Sequence, residues 1–257
     1  MLAVTMARTP TVGRPPAPAS RPVASDTPLT SARLGFAVAL GVEAWALGHS
    51  SPNWTVEVSG PGPVAATAAA QVLVARGCDA IISWGVAGGL SPELSVGDLV
   101  VPERVRGEHR VYDVDCELRA RFIAALTTRA RGGTLVTTDR VVQTRERKSA
   151  LHRAHGAVAV DTESAALAEV AADNGLGFAA IRVISDAASD ALPSELAVAL
   201  NPQTGGLRAG GLVRLLVGTP RLVPQLVRTG RDFGRALATL RTAGTALRVG
   251  RPESTRQ

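Results

Sequence analysis

From Leu34 onward the chain alternates short apolar runs with Ala-rich stretches of helical period. Leu34 to Val42 reads as a buried strand ending at Gly41-Val42-Glu43, and Trp54 to Val58 as a second strand. The turn Gly60-Pro-Gly-Pro63 then opens an Ala-rich helix running to about Arg76. Asp79 to Trp84 predicts a third strand that runs into the cluster Gly85-Val-Ala-Gly-Gly89. Asp98 to Val101 is a short strand, and residues 117–130 have a helical pattern. Thr134 to Thr138 and Ala157 to Val160 follow as strands, Glu163 to Asn174 as a helix, and Phe178 to Ile184 as the last strong strand. Strands that alternate with helices predict a mostly parallel sheet covered on both faces. In such sheets, ligands collect at the carboxyl ends of the strands.

Both ends of the chain have a different texture. Residues 1–30 are rich in Pro, Ala, Ser and Thr without apolar periodicity, which predicts a disordered leader. They contain no uninterrupted apolar segment of the signal-peptide kind. The α/β domain is expected over 31–200, and 201–250 as an amphipathic helical extension. Nine arginines and one acid (Asp232) between Arg208 and Arg251 give that stretch +8, so the remainder of a chain of net +6 sums to about −2. Those arginines have no interleaved aromatics, which argues against a nucleic-acid binder. Two arrangements of the extension stay open: an Arg-bearing helix lying on an anionic membrane, or an apolar stripe packed on the core with Arg in solvent. Lys148 is the only lysine.

Composition removes other classes. No apolar run is long enough to span a bilayer. Cys78 and Cys116 form no CxxC or Cys/His cluster, so they read as incidental thiols of a cytoplasmic protein. His152 and His155 form an HxxH pair with no third ligand nearby, so no metal is expected.

Acids fall where ligands are expected: Glu43 and Asp186 at or just past strand ends, and Glu163 at the start of a helix. Each has a structural alternative. The Gly85–Gly89 cluster fits neither GxGxxG nor a P-loop, and a tight turn explains it as well as a close backbone approach to ligand. In Asp161-Thr-Glu163, Asp161 or Thr162 can cap the helix, with Glu163 favouring its dipole. Ser185-Asp186 can be a simple turn after a strand.

Taken together, the order of these segments resembles the purine nucleoside phosphorylase and nucleosidase superfamily, in its methylthioadenosine/S-adenosylhomocysteine nucleosidase branch. The resemblance rests on Gly41-Val-Glu43, the stretch Gly85 to Val101, Asp161-Thr-Glu-Ser-Ala-Ala-Leu-Ala-Glu-Val170 and Ile181-Arg-Val-Ile-Ser-Asp186. A narrower likeness, from Ala188-Ser-Asp-Ala-Leu-Pro193 and the Leu/Arg-rich tail, is to the hopanoid-associated phosphorylases, a group linked to removal of adenine from adenosylhopane.

The resemblance implies a three-layer α/β/α fold with a mixed, mostly parallel sheet, a homodimer, and cleavage of an adenine nucleoside. By the same token Asp186 would protonate or hydrogen-bond the purine N7, so it must be held uncharged, which burial favours. Ser185 would orient Asp186, and Arg182 would support the same strand end. Glu163 would accept hydrogen bonds from the ribose hydroxyls, and Glu43 would orient or deprotonate the attacking water. Val141 and Val142 would line the base pocket, with Gly85, Val86, Ala87, Gly88 and Thr162 completing the substrate site.

Two departures stand out. Thr162 occupies a position usually held by a Met that packs on the ribose. Ser83 and Val86 stand where phosphorylases place residues that hold phosphate. The second departure favours water over inorganic phosphate as co-substrate, with no other cofactor expected. Adenosylhopane, and with it peripheral contact with the membrane, is the substrate expectation. A methylthioadenosine/S-adenosylhomocysteine nucleosidase and a non-catalytic nucleoside-binding or membrane-associated scaffold are the alternatives.

Overall fold

A computed structural model of the chain describes residues 29, 32–48, 51–126, 129–193 and 223–249. The leader (1–30) apart from Leu29, and residues 201–222 of the extension, lie outside these residues. The elements run β1 (Leu34–Val38), α1 (Gly41–Leu47), β2 (Trp54–Val58), α2 (Pro63–Ala75), β3 (Ala80–Gly89) and β4 (Leu99–Val100). There follow β5 (Arg104–Arg106), β6 (Val111–Asp113), α3 (Cys116–Ala125), β7 (Ala130–Arg131) and β8 (Thr134–Thr137). The chain continues through α4 (Arg145–His155), β9 (Ala157–Asp161), α5 (Ser164–Asp173), β10 (Gly177–Asp186) and α6 (Val223–Val249).

One mixed sheet holds all ten strands in the order β6-β5-β8-β9-β3-β10-β4-β7, with β1 on β3 and β2 on β1. Most pairings are parallel; β3–β9, β10–β4 and β5–β6 are antiparallel. Helices flank it in two groups: α2 packs with α5 over β1 and β10, and α6 packs with α1 and α3 against β3 and β10. This is the three-layer arrangement the alternation predicts.

Two strands, β3 and β10, form the spine. Both are ten residues long and almost wholly buried, so they carry continuous apolar runs rather than an alternating pattern. Trp84 on β3 packs edge-on against Phe36, which is tilted on Trp54 at 4.8 Å between ring centroids. With so few aromatics, this cluster and the small side chains of α2 and α5 fill the core.

The spine also creates the opening that becomes the site. Along one edge, β3 pairs with β1 through Ala80–Ser83 and then with β9 at Gly88–Gly89. Between these partners its edge is free of strand neighbours, and a cleft opens there. On the other edge, the β10–β3 register slips between Ile184 and Asp186. Such a bulge breaks the two-residue alternation and re-aims side chains, so successive residues Ser185 and Asp186 both face the cleft.

Two expectations need correction. Leu34 to Val42 is not one strand: the chain leaves the sheet after Val38, and Glu43 lies in the first turn of α1. Gly85–Gly89 is not a loop after a strand but the second half of β3. Of the two arrangements left open for the C-terminal extension, its described part takes the second: one 27-residue helix whose apolar stripe (Ala236, Leu240, Ala243, Leu247) is buried in the core. That stripe is unavailable to a membrane. Arg231, Arg235 and Arg241 are exposed, and Arg241 stacks on Trp45 at 4.5 Å. Among the described residues no helix is long and apolar enough to cross a membrane.

Candidate active site

The cleft encloses about 180 Å³ and is walled by Leu40, Pro61, Val86, Ala87, Val141, Val142 and Leu192, with Glu43, Thr162, Glu163, Ser185 and Asp186 around it. It gathers all the candidate residues except Arg182 and Gly85. A larger cavity of about 640 Å³ lies beside α3, but its acids are exposed or committed: Asp113 is open to solvent and Asp115 caps α3 through the Leu118 N–H.

Glu43 is 2% exposed. Its Oε2 accepts the Leu40 N–H at 2.9 Å, holding the start of α1, and its Oε1 accepts the Val86 N–H at 2.9 Å on the unpaired stretch of β3. The Trp84 indole N–H donates to the Glu43 carbonyl at 3.2 Å, which ties the helix to the sheet. Burial pushes the Glu43 carboxyl up to about 7, against the opposing pull of the Arg182 charge. A carboxyl that titrates near neutrality is about half ionised at pH 7, and in that ionised form it is a stronger base toward water than an ordinary carboxylate.

Glu163 sits at the N-cap of α5, where its carboxylate turns across the cleft rather than onto its own helix. It accepts the Gly62 N–H at 2.8 Å and the Thr162 hydroxyl. Gly62 has φ +98, a conformation that favours glycine and that aims this N–H at the carboxylate. Burial, with the charge of Asp161 adding to it, raises the Glu163 pKa, and Arg182 opposes both. Capping of α5 itself falls to Asp161, whose Oδ1 accepts the Ser164 N–H at 3.3 Å.

Asp186 is 7% exposed and faces the same cavity as Glu43 and Glu163. The Ser185 hydroxyl donates to its Oδ1 at 2.7 Å. The Asp186 carboxyl has a second partner, however. Lys148, fully buried on α4, is ion-paired with Asp186 Oδ2 and donates to the Ala187 carbonyl at 2.6 Å. Sequence reading missed this partner; its one signal was that every other cationic side chain of the Lys/Arg type is Arg.

Arg182 also differs from expectation. It does not line the cleft but lies beneath it, buried, with Nε 2.9 Å and Nη2 2.7 Å from Asp161 Oδ2 and Nη2 2.6 Å from Ser83 Oγ. Ser83 and Ser164 are hydrogen-bonded to each other at 2.9 Å, so the Ser83 hydroxyl is consumed below the floor. Burial alone would lower the Arg182 pKa, but the Asp161, Glu163 and Glu43 charges around it raise it overall. Gly85 likewise touches no cavity; a Cβ there would lie 2.5 Å from Glu43 Oε1 and 2.6 Å from Arg182 Nη1. Its role is to leave room for those two side chains to approach. From the sequence Asp161 reads only as a possible helix cap; its pairing with Arg182 beneath the cleft depends on contacts across the fold.

The raised Glu43 carboxyl has a thermodynamic consequence with a definite sign. The folded protein holds this proton up to about pH 7, whereas the unfolded chain releases it near 4.5. Stability from this group is therefore complete below about 4.5 and falls as pH rises through 7, by about 3 kcal/mol in all. Glu163 adds in the same direction. Melting temperature measured from pH 4.5 to 8 should fall, and Glu43→Gln should flatten the slope; an unchanged slope in that variant would remove Glu43 as its source.

Comparison with known proteins follows the same geometry. Residues 47–217 match the phosphorylase superfamily. A 5'-methylthioadenosine/S-adenosylhomocysteine nucleosidase of Mycobacterium tuberculosis is 30% identical over 173 residues, covering 51% of this chain and 68% of its own. The futalosine hydrolase of Streptomyces coelicolor is 31% identical over 167 residues, 54% of this chain and 69% of that one. Among solved structures, the Helicobacter pylori 5'-methylthioadenosine/S-adenosylhomocysteine nucleosidase with butyl-thio-DADMe-Immucillin-A superposes with a TM-score of 0.63 at 19% identity, over 85% of this chain and 97% of its own. The H. pylori futalosine hydrolase does so at 0.63 and 18%, over 84% and 96%. At those identities the structures speak for the fold.

Proposed function

Because this chain belongs to the phosphorylase superfamily, we propose that it cleaves the N-glycosidic bond of an adenine nucleoside with water, and that the nucleoside carries a large apolar 5' substituent. The observation that carries the reading is the meeting of Glu43, Glu163 and Asp186 around one buried cavity. The relatives named as nucleosidases and hydrolases support the reaction class.

The chemistry follows from charge. A ribosyl–base bond breaks easily when the base leaves neutral and the sugar can carry positive charge. Asp186, with Ser185 and Lys148, stands where a proton can reach the base. Glu163 offers a carboxylate to the ribose hydroxyls and to the developing positive centre. Glu43, close to neutrality in its titration, takes the proton of the attacking water.

Water rather than phosphate fits this electrostatics. Ser83 is engaged with Arg182 and Ser164, and Arg182 is turned onto Asp161, so neither offers a free donor to the cleft. Three buried carboxylates besides Asp186 (Glu43, Asp161, Glu163) also oppose a phosphate dianion. Products of the reaction run with and without inorganic phosphate decide the matter. A free ribose end in both is expected; a ribose-1-phosphate end formed only with phosphate would overturn the hydrolytic reading.

Support for an apolar substituent comes from the rim. Val141, which lines the cavity, is 53% exposed, beside the apolar walls of Leu40, Val86, Val142 and Leu192. With the motif likeness at Ala188 to Pro193, this favours adenosylhopane as substrate. Among the described residues of the extension, the exposed arginines of α6 are available to meet an anionic membrane. Methylthioadenosine is the competing substrate, favoured by the M. tuberculosis relative. Adenine release from a lipid-tailed adenosine, at a kcat/KM well above that for methylthioadenosine, is the expected result, and the reverse order would shift the assignment to the smaller nucleoside.

A further inference from the structure

The buried face of α4 presents Lys148 and Leu151, while most of that short helix is exposed and basic. Among 28 Lys and Arg side chains the single lysine is the one placed against Asp186, and it has no exposure to solvent. Both oxygens of Asp186 already accept hydrogen bonds, Oδ1 from Ser185 at 2.7 Å and Oδ2 from Lys148. A carboxylate in that state has no proton of its own to donate. The movable proton nearest to it is on Lys148 Nζ. A guanidinium does not release a proton under physiological conditions, whereas an ammonium does.

We infer that Lys148 is a positioning residue that supplies Asp186 with the proton it passes to the departing base. The inference rests on the nucleoside-cleavage reading above. In the resting pair, Lys148 is an ammonium and Asp186 a carboxylate. The Nζ–H bond breaks as an Oδ2–H bond forms, leaving a neutral amine beside a neutral carboxylic acid. That O–H then breaks as an N–H forms on the purine, while the electron pair of the glycosidic bond moves onto the base. The amine regains its proton from solvent after the base has left. A neighbouring cavity of about 450 Å³ borders Ser185 and Asp186, with Arg145, Asp190 and Arg228 on its walls, so solvent meets the pair at its Asp186 end.

Other charged groups lie around the pair. Glu43 and Glu163 face Asp186 across the cleft. Asp190 is paired with Arg228, and Arg228 also reaches Asp232 at 3.7 Å. On α4 itself, Arg145 borders the neighbouring cavity, Arg147 is exposed, and His152 meets the Ala157 carbonyl at 2.8 Å through Nδ1.

The test separates proton supply from charge. Lys148→Arg keeps a cation and its donors but not a releasable proton; kcat should fall about 10²-fold or more while KM changes by less than about threefold. Full kcat in this variant would overturn the inference. Should Arg not fit the buried site, Lys148→Ala leaves space for propylammonium, the portion of the side chain removed. Adenine release rescued by that amine, and by a series of alkylamines in proportion to their acidity, is expected; activity in Lys148→Ala equal to the wild type, or no response to any amine, would overturn it. A sole lysine also allows a reading independent of turnover. With lysine labelled at Cε by 13C, one NMR signal reports Lys148, and its pH titration should change in Asp186→Asn; an identical titration in both proteins would refute the coupling. A wild type that releases no adenine from any adenosine compound while the NMR coupling holds would count against the substrate reading alone.

Discussion

Replacing Asp186 with Asn is expected to lower adenine release by about 10²–10⁴-fold, and to destabilise the protein at the same time. The two effects have separate causes. Loss of turnover follows because an amide cannot pass a proton to the base. Loss of stability follows because Lys148 is buried, and its counter-charge would be gone. Removing one partner of a buried ion pair typically costs about 3–5 kcal/mol, although the Asn carbonyl and Ala187 would still accept hydrogen bonds from Nζ. The double variant Asp186→Asn with Lys148→Met removes both charges and should recover much of the melting temperature but none of the activity. Urea unfolding of the two variants, read beside an adenine assay, checks both halves. Retained turnover in Asp186→Asn would take this residue out of its proposed role, and a double variant less stable than the single one would show that the pair is not what the fold misses.

Arg182→Met is expected to do comparable damage without touching the cavity. The side chain of Arg182 is 3% exposed and that of Asp161 2%, so the substitution strands a buried carboxylate. The expected loss is again about 3–5 kcal/mol, moderated by the hydrogen bonds that Thr137 and Ser164 give Asp161. It also removes the cation that pulls the Glu43 and Glu163 carboxyls down. Both should then hold their protons to higher pH. Since Glu43 must be ionised to accept a proton from water, the rising limb of the pH–rate profile should move upward from about 7. Steady-state rates between pH 5 and 9, compared with the wild type, measure that displacement; an unmoved limb would mean that the essential base is a group remote from Arg182.

Both predictions concern charges that the sequence displayed but could not pair. Strand after strand was legible because a buried β3 or β10 needs an unbroken apolar run, and each run is a local feature. β2 matched its predicted limits, Trp54–Val58. Short strands such as β5 and β6 went unseen, since three residues carry too little periodicity to read. The first strand was drawn too long because Gly41-Val42 continues its apolar texture. Helix α1 begins there because the Glu43 carboxylate turns back onto the Leu40 N–H, and its other oxygen is satisfied from 43 positions away by the Val86 N–H.

Local order fixed what the residues themselves can encode: alternating strands and helices, an amphipathic helical C-terminus, and acids at the ends of apolar runs. Packing decided how those acids meet. Glu163 reaches Gly62 across 101 positions, Lys148 reaches Asp186 across 38, and Arg182 turns down to Asp161 instead of up to the cavity. Hydrophobic period and turn chemistry act over a few residues, so a chain reveals them in order. The partner of a buried charge depends on strand register, on the bulge at Ser185 and on which helix covers which edge, and these exist only once distant segments have come together.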